Sequence, residues 1–154
     1  MTVILECKAD EALAKAVGVP RQSVQHFLGR GRVCNRLAHV TRTTGMMDED
    51  PEVTKPLYFS CLVYLSGDHA IQFFLDKERD NRVLVLRPRL EEWLVQTAKD
   101  SSCKMTDYGF ASDNGVRLHG EINQRLDSLR KLAQDLLKAE SKRMLRLREL
   151  LNQS

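Results

Sequence analysis

The sequence has few cysteines and histidines, and their spacing excludes the common structural zinc sites. None of the cysteines forms a C-x-x-C pair, and the histidines do not flank them at zinc-ligand spacing. A disulfide framework is equally unexpected, because the spacing fits small, buried thiols in a reducing compartment. The residues concerned are Cys7, Cys34, Cys61, Cys103, His26, His39, His69 and His119.

Long apolar runs are also missing. No stretch approaches the roughly 20 apolar residues that a bilayer-spanning helix needs. The N-terminus passes from Met1 and Thr2 into a short apolar run closed by Glu6, with no basic segment before it. This pattern predicts no signal peptide and no membrane partner, and we expect a cytoplasmic protein.

Internal repeats, low-complexity tracts and obvious linkers are absent, as is any serine–histidine–acid or cysteine–histidine arrangement typical of nucleophilic catalysis. What the chain does have is 154 residues, of which 42% are hydrophobic and 29% charged, enough for one ordinary core. Its net charge of +3 is only a weak indication of a polyanionic partner.

The first third of the sequence alternates between strand and helix patterns. Strands are predicted at residues 3–5, 23–28 and 41–47, and helices at residues 10–17 and 33–40. Residues 23–28 also fit a helical turn. Asp10 is a suitable N-cap for the first helix, and Gly18 a suitable end. A β-α-β-α-β order predicts a mostly parallel sheet flanked by helices, that is, an α/β fold.

The later segments complete the prediction. Residues 57–65 fit either a helix or an edge strand, while residues 71–75 and 83–86 form a hairpin whose second strand is central. A helix is expected at residues 90–98, then a loop, then nearly continuous helix from residue 116 to 152 with a break near Glu140. We therefore expect an α/β domain over residues 1–98 and, over residues 99–154, a loop and C-terminal helical extension packed on it or on a partner.

Three consecutive acids, Asp48, Glu49 and Asp50, follow the third predicted strand and precede Pro51. Strand alternation places Asp48 and Asp50 on one side and Glu49 on the other. Two neighbouring carboxylates repel each other unless they are solvated or share a divalent cation such as Mg²⁺. By itself, this stretch is consistent with a solvated acidic turn or with a metal site.

Two further acids come from distant parts of the chain. Glu6 follows the first strand, and Glu91 follows the strand at residues 83–86 and opens a helix. Sites in α/β proteins form at the carboxyl ends of parallel strands, so Glu6, Asp48, Asp50 and Glu91 are expected at one sheet edge. Because a bound cation would offset their repulsion, the four acids favour a metal site.

Several of these segments resemble the TOPRIM domain. Leu5-Glu6-Cys7-Lys8-Ala9-Asp10 is similar to its first motif, with Cys7 where glycine is usual, and Asp48-Glu49-Asp50 is similar to its Asp-x-Asp motif. Gly29-Arg30-Gly31-Arg32 resembles the Gly-Lys-Gly turn in TOPRIM parts of overcoming-lysogenization-defect nucleases. Leu90-Glu91-Glu92-Trp93-Leu94 resembles a segment of stand-alone TOPRIM-like proteins. The resemblance covers roughly residues 3–98.

The resemblance implies a function and roles for particular residues. It implies a nuclease that cleaves DNA or RNA and depends on Mg²⁺ or Mn²⁺. Metal would be held by Asp48, Asp50 and Glu91, with Glu6 as general acid/base or as a further metal ligand. Phosphate contacts would come from Lys8, Arg30 and Arg32. The alternative is a non-catalytic metal- or nucleic-acid-binding subunit, acting as a homodimer or with a larger partner such as an ATPase through the C-terminal helices.

Overall fold

A computed structural model of the chain describes residues 1–153 and has an α/β architecture built on one sheet of six strands. The strands are β1 (Thr2–Leu5), β2 (Val24–His26), β3 (Thr43–Asp48), β4 (Val63–Ser66), β5 (Ile71–Asp76) and β6 (Asn81–Leu86). The α-helices are α1 (Lys8–Ala16), α2 (Arg30–Leu37), α3 (Leu90–Asp100), α4 (Gly115–Leu118), α5 (Leu126–Lys138) and α6 (Lys142–Asn152). Short 3₁₀ turns lie at Arg21–Ser23, Leu57–Cys61, Met105–Tyr108 and Ile122–Gln124.

The sheet is mostly parallel, as the sequence predicts. Its strand order is β2-β1-β3-β6-β5-β4, in which β2, β1, β3 and β6 run parallel while β5 and β4 are antiparallel neighbours. Leu5 pairs in register with Met46, and Met46 pairs with Leu84. The carboxyl ends of β1, β3 and β6 therefore meet at one edge of the sheet.

Helices cover both faces of this sheet, which makes three layers. One face carries Val3, Met46 and Leu84 and packs against α1, α3, α5 and α6 in the larger core. The other face carries Ile4, Met47 and Val83 and packs against α2 and the 3₁₀ turn at Leu57–Cys61. Alternating residues of each central strand thus enter opposite cores, which explains the uninterrupted apolar runs in β1 and β6 and the adjacent Met46 and Met47 in β3.

Gly45 permits the close packing of α2 on the sheet. A Cβ atom built at this position in β3 would lie 2.6 Å from Cδ1 of Leu37, which is closer than ordinary contact. The glycine inside this buried strand is therefore explained by the approach of α2 rather than by a bulge.

Several predicted elements are confirmed. The hairpin forms from β5 and β6, and β6 is central because it also pairs with β3. Residues 57–65, for which helix and edge strand were both open, divide into the 3₁₀ turn and the edge strand β4. The helix predicted at residues 90–98 forms as α3, and its side chains Leu90, Trp93, Leu94 and Thr97 are all buried.

Other boundaries differ from the prediction. The first helix begins at Lys8, with Cys7 rather than Asp10 as its N-cap. The second begins at Arg30, so Arg30 and Arg32 lie in its first turn and not in a separate glycine-rich turn. Residues 116–125 are not continuous helix, because α4 ends at Leu118 and a 3₁₀ turn follows.

The C-terminal helices pack on the α/β core of the same chain. Their leucine stripe, which includes Leu129, Leu132, Leu136, Leu147 and Leu150, is buried in the larger core together with residues of α1 and α3. The expected break separates α5 from α6 at residues 139–141. Of the four free cysteines, only Cys34 is fully buried and Cys61 is exposed, contrary to the expectation for all four. Within residues 1–153, no helix is both long and apolar enough to cross a membrane.

Candidate acidic site

Carboxylates from three parts of the chain converge at the carboxyl edge of the parallel strands. Glu6 is the first residue after β1, Asp48 is the last residue of β3, and Glu91 is the second residue of α3, which follows β6. Burial raises the pKa of Asp48 well above its ordinary value, and the charges of Asp10, Glu6 and Glu91 raise it further. The structure thus brings together three predicted site residues and one, Asp10, that was predicted only as a helix cap.

Glu6 lies in a desolvated position in this group. Burial is the main cause that raises its pKa to about 7, and the negative charges of Asp10 and Asp50 act in the same direction. The backbone N–H of Asp48 and the charge of Arg30 oppose the rise. Oε1 of Glu6 is buried and has no hydrogen-bond partner within residues 1–153.

Asp10 is held by the start of α1. Its Oδ2 accepts a hydrogen bond at 3.0 Å from the backbone N–H of Cys7, and its own N–H donates to Sγ of Cys7 at 3.5 Å. This reciprocal arrangement is a capping box in which a thiol takes the place of the usual hydroxyl. It explains why the helix begins two residues earlier than predicted. Burial raises the pKa of Asp10, although the bonds from Cys7 lower it in part.

Asp48 and Glu91 are anchored by one oxygen each. Oδ1 of Asp48 accepts a hydrogen bond at 3.0 Å from the backbone N–H of Leu90, which satisfies one of the free donors at the start of α3. Oε1 of Glu91 lies 3.1 Å from Nδ1 of His119. The second oxygen of Glu91, Oε2, is buried without a hydrogen-bond partner in the described chain, and the residue is only 4% exposed.

Asp50 and Glu49 lie at the rim of the site. Strand geometry ends at Asp48, and Asp50 adopts a left-handed backbone conformation with φ of 44°. Its Oδ1 accepts a hydrogen bond from Nη2 of Arg89 at 3.1 Å, while Glu49 forms an ion pair with Arg87. Asp50 and Glu91 both line a cavity of about 480 Å³ beside the acidic group.

The three predicted phosphate contacts have different surroundings. Lys8 and Arg32 are exposed, in the first turns of α1 and α2 respectively. The Arg30 guanidinium instead donates to the carbonyl oxygens of Glu49, Val53 (2.9 Å) and Thr54 (3.1 Å). Arg30 therefore ties α2 to the loop after β3 and has fewer donors left for a phosphate.

The donor chemistry of the acidic group suits a hard divalent cation. Carboxylate oxygens are the ligands that Mg²⁺ and Mn²⁺ prefer, and Glu6 and Glu91 each keep a buried oxygen without a hydrogen-bond partner. Within residues 1–153, however, no three or more His, Cys, Asp or Glu side chains are already arranged to hold a metal ion. The group therefore fits the cation in chemistry and location but is not a preformed coordination shell.

Two residues near the site escaped prediction for different reasons. Asp10 could have been found from the sequence, since it lies four residues after Glu6 in the same motif, but the sequence pattern assigns it only a helix-capping role. His119 had no such signal, because it lies 28 residues from Glu91 in a segment predicted only as part of the C-terminal helical extension. Comparison of the chain with protein-family models, with curated proteins and with solved structures finds no match.

Proposed function

We propose that the protein is a divalent-metal-dependent nuclease, of the TOPRIM kind that its motifs resemble, and that it cleaves phosphodiester bonds in DNA or RNA. One observation carries the proposal: Glu6, Asp10, Asp48 and Glu91 lie together at the carboxyl edge of parallel strands. Their repulsion and burial raise the pKa of Asp48, and two of the buried oxygens have no partner in the described chain. Such an arrangement is costly to folding and is expected where a cation is used.

Asp48 and Glu91 are the residues that would hold Mg²⁺ or Mn²⁺, with Asp50 at the rim. A bound ion would stabilise charge on the phosphodiester and lower the pKa of a bound water. Glu6 suits the role of general acid/base, because a carboxyl with a pKa of about 7 exchanges protons readily at neutral pH. Its position directly after β1 keeps it beside Asp48.

Phosphate contacts are assigned to Lys8 and Arg32. Both are exposed and lie in the first turns of α1 and α2, near the carboxyl ends of the strands that precede these helices. Backbone N–H groups at a helix N-terminus also favour anions. Arg30 contributes mainly its charge, because its Nη1 and Nη2 atoms already donate to carbonyl oxygens.

A second function is supported by Cys7. The thiol fills the N-cap position of α1, where the resembling motif has a glycine that lets substrate phosphate approach the backbone. This bulk favours a non-catalytic subunit that binds metal or nucleic acid and acts through an oligomer or a larger partner. The partner would contact the outer surface of the C-terminal helices, since their leucine stripe is buried in the chain itself.

The proposal is tested by incubating purified protein with plasmid, single-stranded DNA and structured RNA, in Mg²⁺, in Mn²⁺ and in EDTA. The key variant is Asp48→Asn, which keeps an oxygen to accept the Leu90 N–H, and Asp80→Asn in an exposed turn is the matched control. We expect metal-dependent cleavage by wild type and by the control, and a loss of about 100-fold or more in Asp48→Asn.

Each other outcome has a meaning. Equal cleavage by Asp48→Asn and wild type excludes the assigned site. Absence of cleavage of all three substrates, with metal binding intact by calorimetry, excludes the nuclease and supports the non-catalytic subunit. Size-exclusion chromatography with light scattering then tests whether that subunit forms a homodimer.

A further inference from the structure

Residues 115–123 include α4 and the start of a 3₁₀ turn. This segment contacts α1 and α3, the two helices whose first turns contribute Asp10 and Glu91 to the acidic site. Nδ1 of His119 lies 3.1 Å from Oε1 of Glu91, in the first turn of α3. Four residues later, Oδ1 of Asn123 accepts a hydrogen bond at 3.1 Å from the backbone N–H of Ala9, in the first turn of α1. One short segment therefore contacts both helix starts.

This segment is held close to α3. A Cβ atom built on Gly115 would lie 2.8 Å from Cα and 2.9 Å from the backbone nitrogen of Glu92, so a larger residue at position 115 would have to displace backbone. Leu118 and Ile122 are fully buried in the larger core. The position of His119 is thus set on both sides by residues that cannot move without loss of packing.

His119 binds one oxygen of the Glu91 carboxylate and leaves the other oxygen without a partner in the described chain. Oε1 of Glu91 is occupied by the imidazole, whereas Oε2 is buried and has no partner in the described chain. A hydrogen bond to one oxygen of a carboxylate also fixes the direction of its other oxygen. Loss of a hydrogen-bond partner that orients a metal ligand typically changes metal affinity by about 10- to 100-fold. The imidazole itself is 76% exposed, so its packing contributes little to stability.

We propose that residues 115–123 form a strap that holds the acidic site in shape, with His119 as the positioning residue that orients the Glu91 carboxylate toward a divalent cation. The strap lies in the C-terminal extension, outside the segment that carries the acidic motifs. The proposal rests on the proposed function, because it takes Glu91 as a metal ligand.

The experiment is a calorimetric titration of metal-free full-length protein with Mn²⁺. The variants are His119→Ala, which removes the contact, and His119→Asn, whose side-chain amide nitrogen replaces Nδ1. Arg117→Ala is the matched control, since it removes an exposed cationic side chain two residues away. Thermal unfolding in EDTA, recorded for every variant, separates metal affinity from stability.

We expect His119→Ala to bind Mn²⁺ about 10-fold more weakly than wild type, with its melting temperature in EDTA unchanged. His119→Asn should recover most of this affinity, and Arg117→Ala should bind as wild type does. This combination supports orientation of Glu91 by a hydrogen bond rather than a general effect of substitution in this segment.

Three results would overturn the strap. If wild type binds Mn²⁺ and His119→Ala binds it equally well, His119 does not position Glu91, although the proposed function stands. If His119→Ala and Arg117→Ala weaken binding to the same extent, the loss does not depend on the contact with Glu91 and follows from any change in this segment. If wild type itself does not bind Mn²⁺, the proposed function fails and the strap fails with it.

Discussion

The carboxylate of Asp48 accepts a hydrogen bond at 3.0 Å from the backbone N–H of Leu90, so the end of β3 is bonded to the start of α3. The contact places Glu91, the next residue of α3, beside the strand end. Asp48 therefore contributes to the fold through one oxygen while its charge lies among Glu6, Asp10 and Glu91. The substitution Asp48→Asn keeps the hydrogen-bond acceptor but removes the carboxyl group from the acidic site.

Asp48→Asn should stabilise the metal-free protein. The amide oxygen still accepts the Leu90 N–H. Burial and three neighbouring carboxylates raise the pKa of Asp48 in the fold to about 9, so at neutral pH folding requires uptake of a proton that the unfolded chain releases, and this cost disappears in the amide. We expect a gain of about 1 kcal/mol or more in the free energy of unfolding, a rise of roughly 3 °C in melting temperature. The measurement is calorimetric melting in EDTA.

The matched control for that gain is Asp107→Asn, an exposed aspartate in a 3₁₀ turn, which should leave the melting temperature unchanged. A lower melting temperature for Asp48→Asn would contradict the predicted repulsion. Added Mg²⁺ should stabilise wild type more than this variant, because only wild type keeps the full acidic group.

Arg30→Ala should loosen the loop after β3. Its guanidinium donates to the carbonyl oxygens of Glu49, Val53 and Thr54, and those acceptors lose their partner in the variant. We expect a loss of about 1 kcal/mol in the free energy of unfolding and faster cleavage within residues 49–55 by a protease. Urea unfolding and limited proteolysis with mass spectrometry measure both.

Arg32→Ala is the comparison, because Arg32 is exposed in the same helical turn. It should change neither stability nor proteolysis. If Arg30→Ala has the same stability and the same rate of proteolysis as Arg32→Ala, the carbonyl contacts of Arg30 have no structural role. That result would favour the prediction that Arg30 binds phosphate.

Asp76→Asn should destabilise the protein in a pH-dependent way. Asp76 is only 1% exposed, and burial by itself would raise its pKa. Hydrogen bonds from the Tyr58 hydroxyl (2.8 Å), from the backbone N–H groups of Glu78 and Arg79 and from the Arg79 side chain outweigh burial and lower the pKa overall. At neutral pH we expect a loss of about 1 to 3 kcal/mol, measured by urea unfolding.

The sign of the pH dependence follows from the lowered pKa. A carboxyl with a lower pKa in the folded than in the unfolded state stabilises the fold above its unfolded pKa of about 4. That contribution is lost as pH falls through the folded pKa. The stability gap between wild type and Asp76→Asn should therefore narrow below about pH 4, whereas Asp80→Asn, exposed in the same hairpin turn, should follow wild type throughout. A constant gap would refute the interpretation.

Sequence periodicity was sufficient for the central elements and for part of the site. Residues 3–5 and 83–86 are apolar without alternation, as strands buried on both faces require, and the structure makes them β1 and β6. Residues 41–47, which end in Met46 and Met47, supply β3. Since parallel strands end at one edge of the sheet, the sequence alone predicts that the acids following those ends, Glu6, Asp48 and Glu91, lie close together.

Local pattern failed where a contact depends on three-dimensional packing. Asp50 leaves the strand in a left-handed conformation and pairs with Arg89, so strand alternation did not describe it. Arg30 lies in a helix and binds carbonyl groups about 20 residues away, although the glycines around it indicated a turn.

The sequence by itself determined the layered α/β architecture and the sheet edge at which the acids collect, because both follow from which residues must avoid water. Only the tertiary structure decided that Asp10 belongs to the acidic group and that His119 contacts Glu91. The reason is physical: burial follows from local periodicity, whereas the partner of a polar atom depends on how separate elements pack.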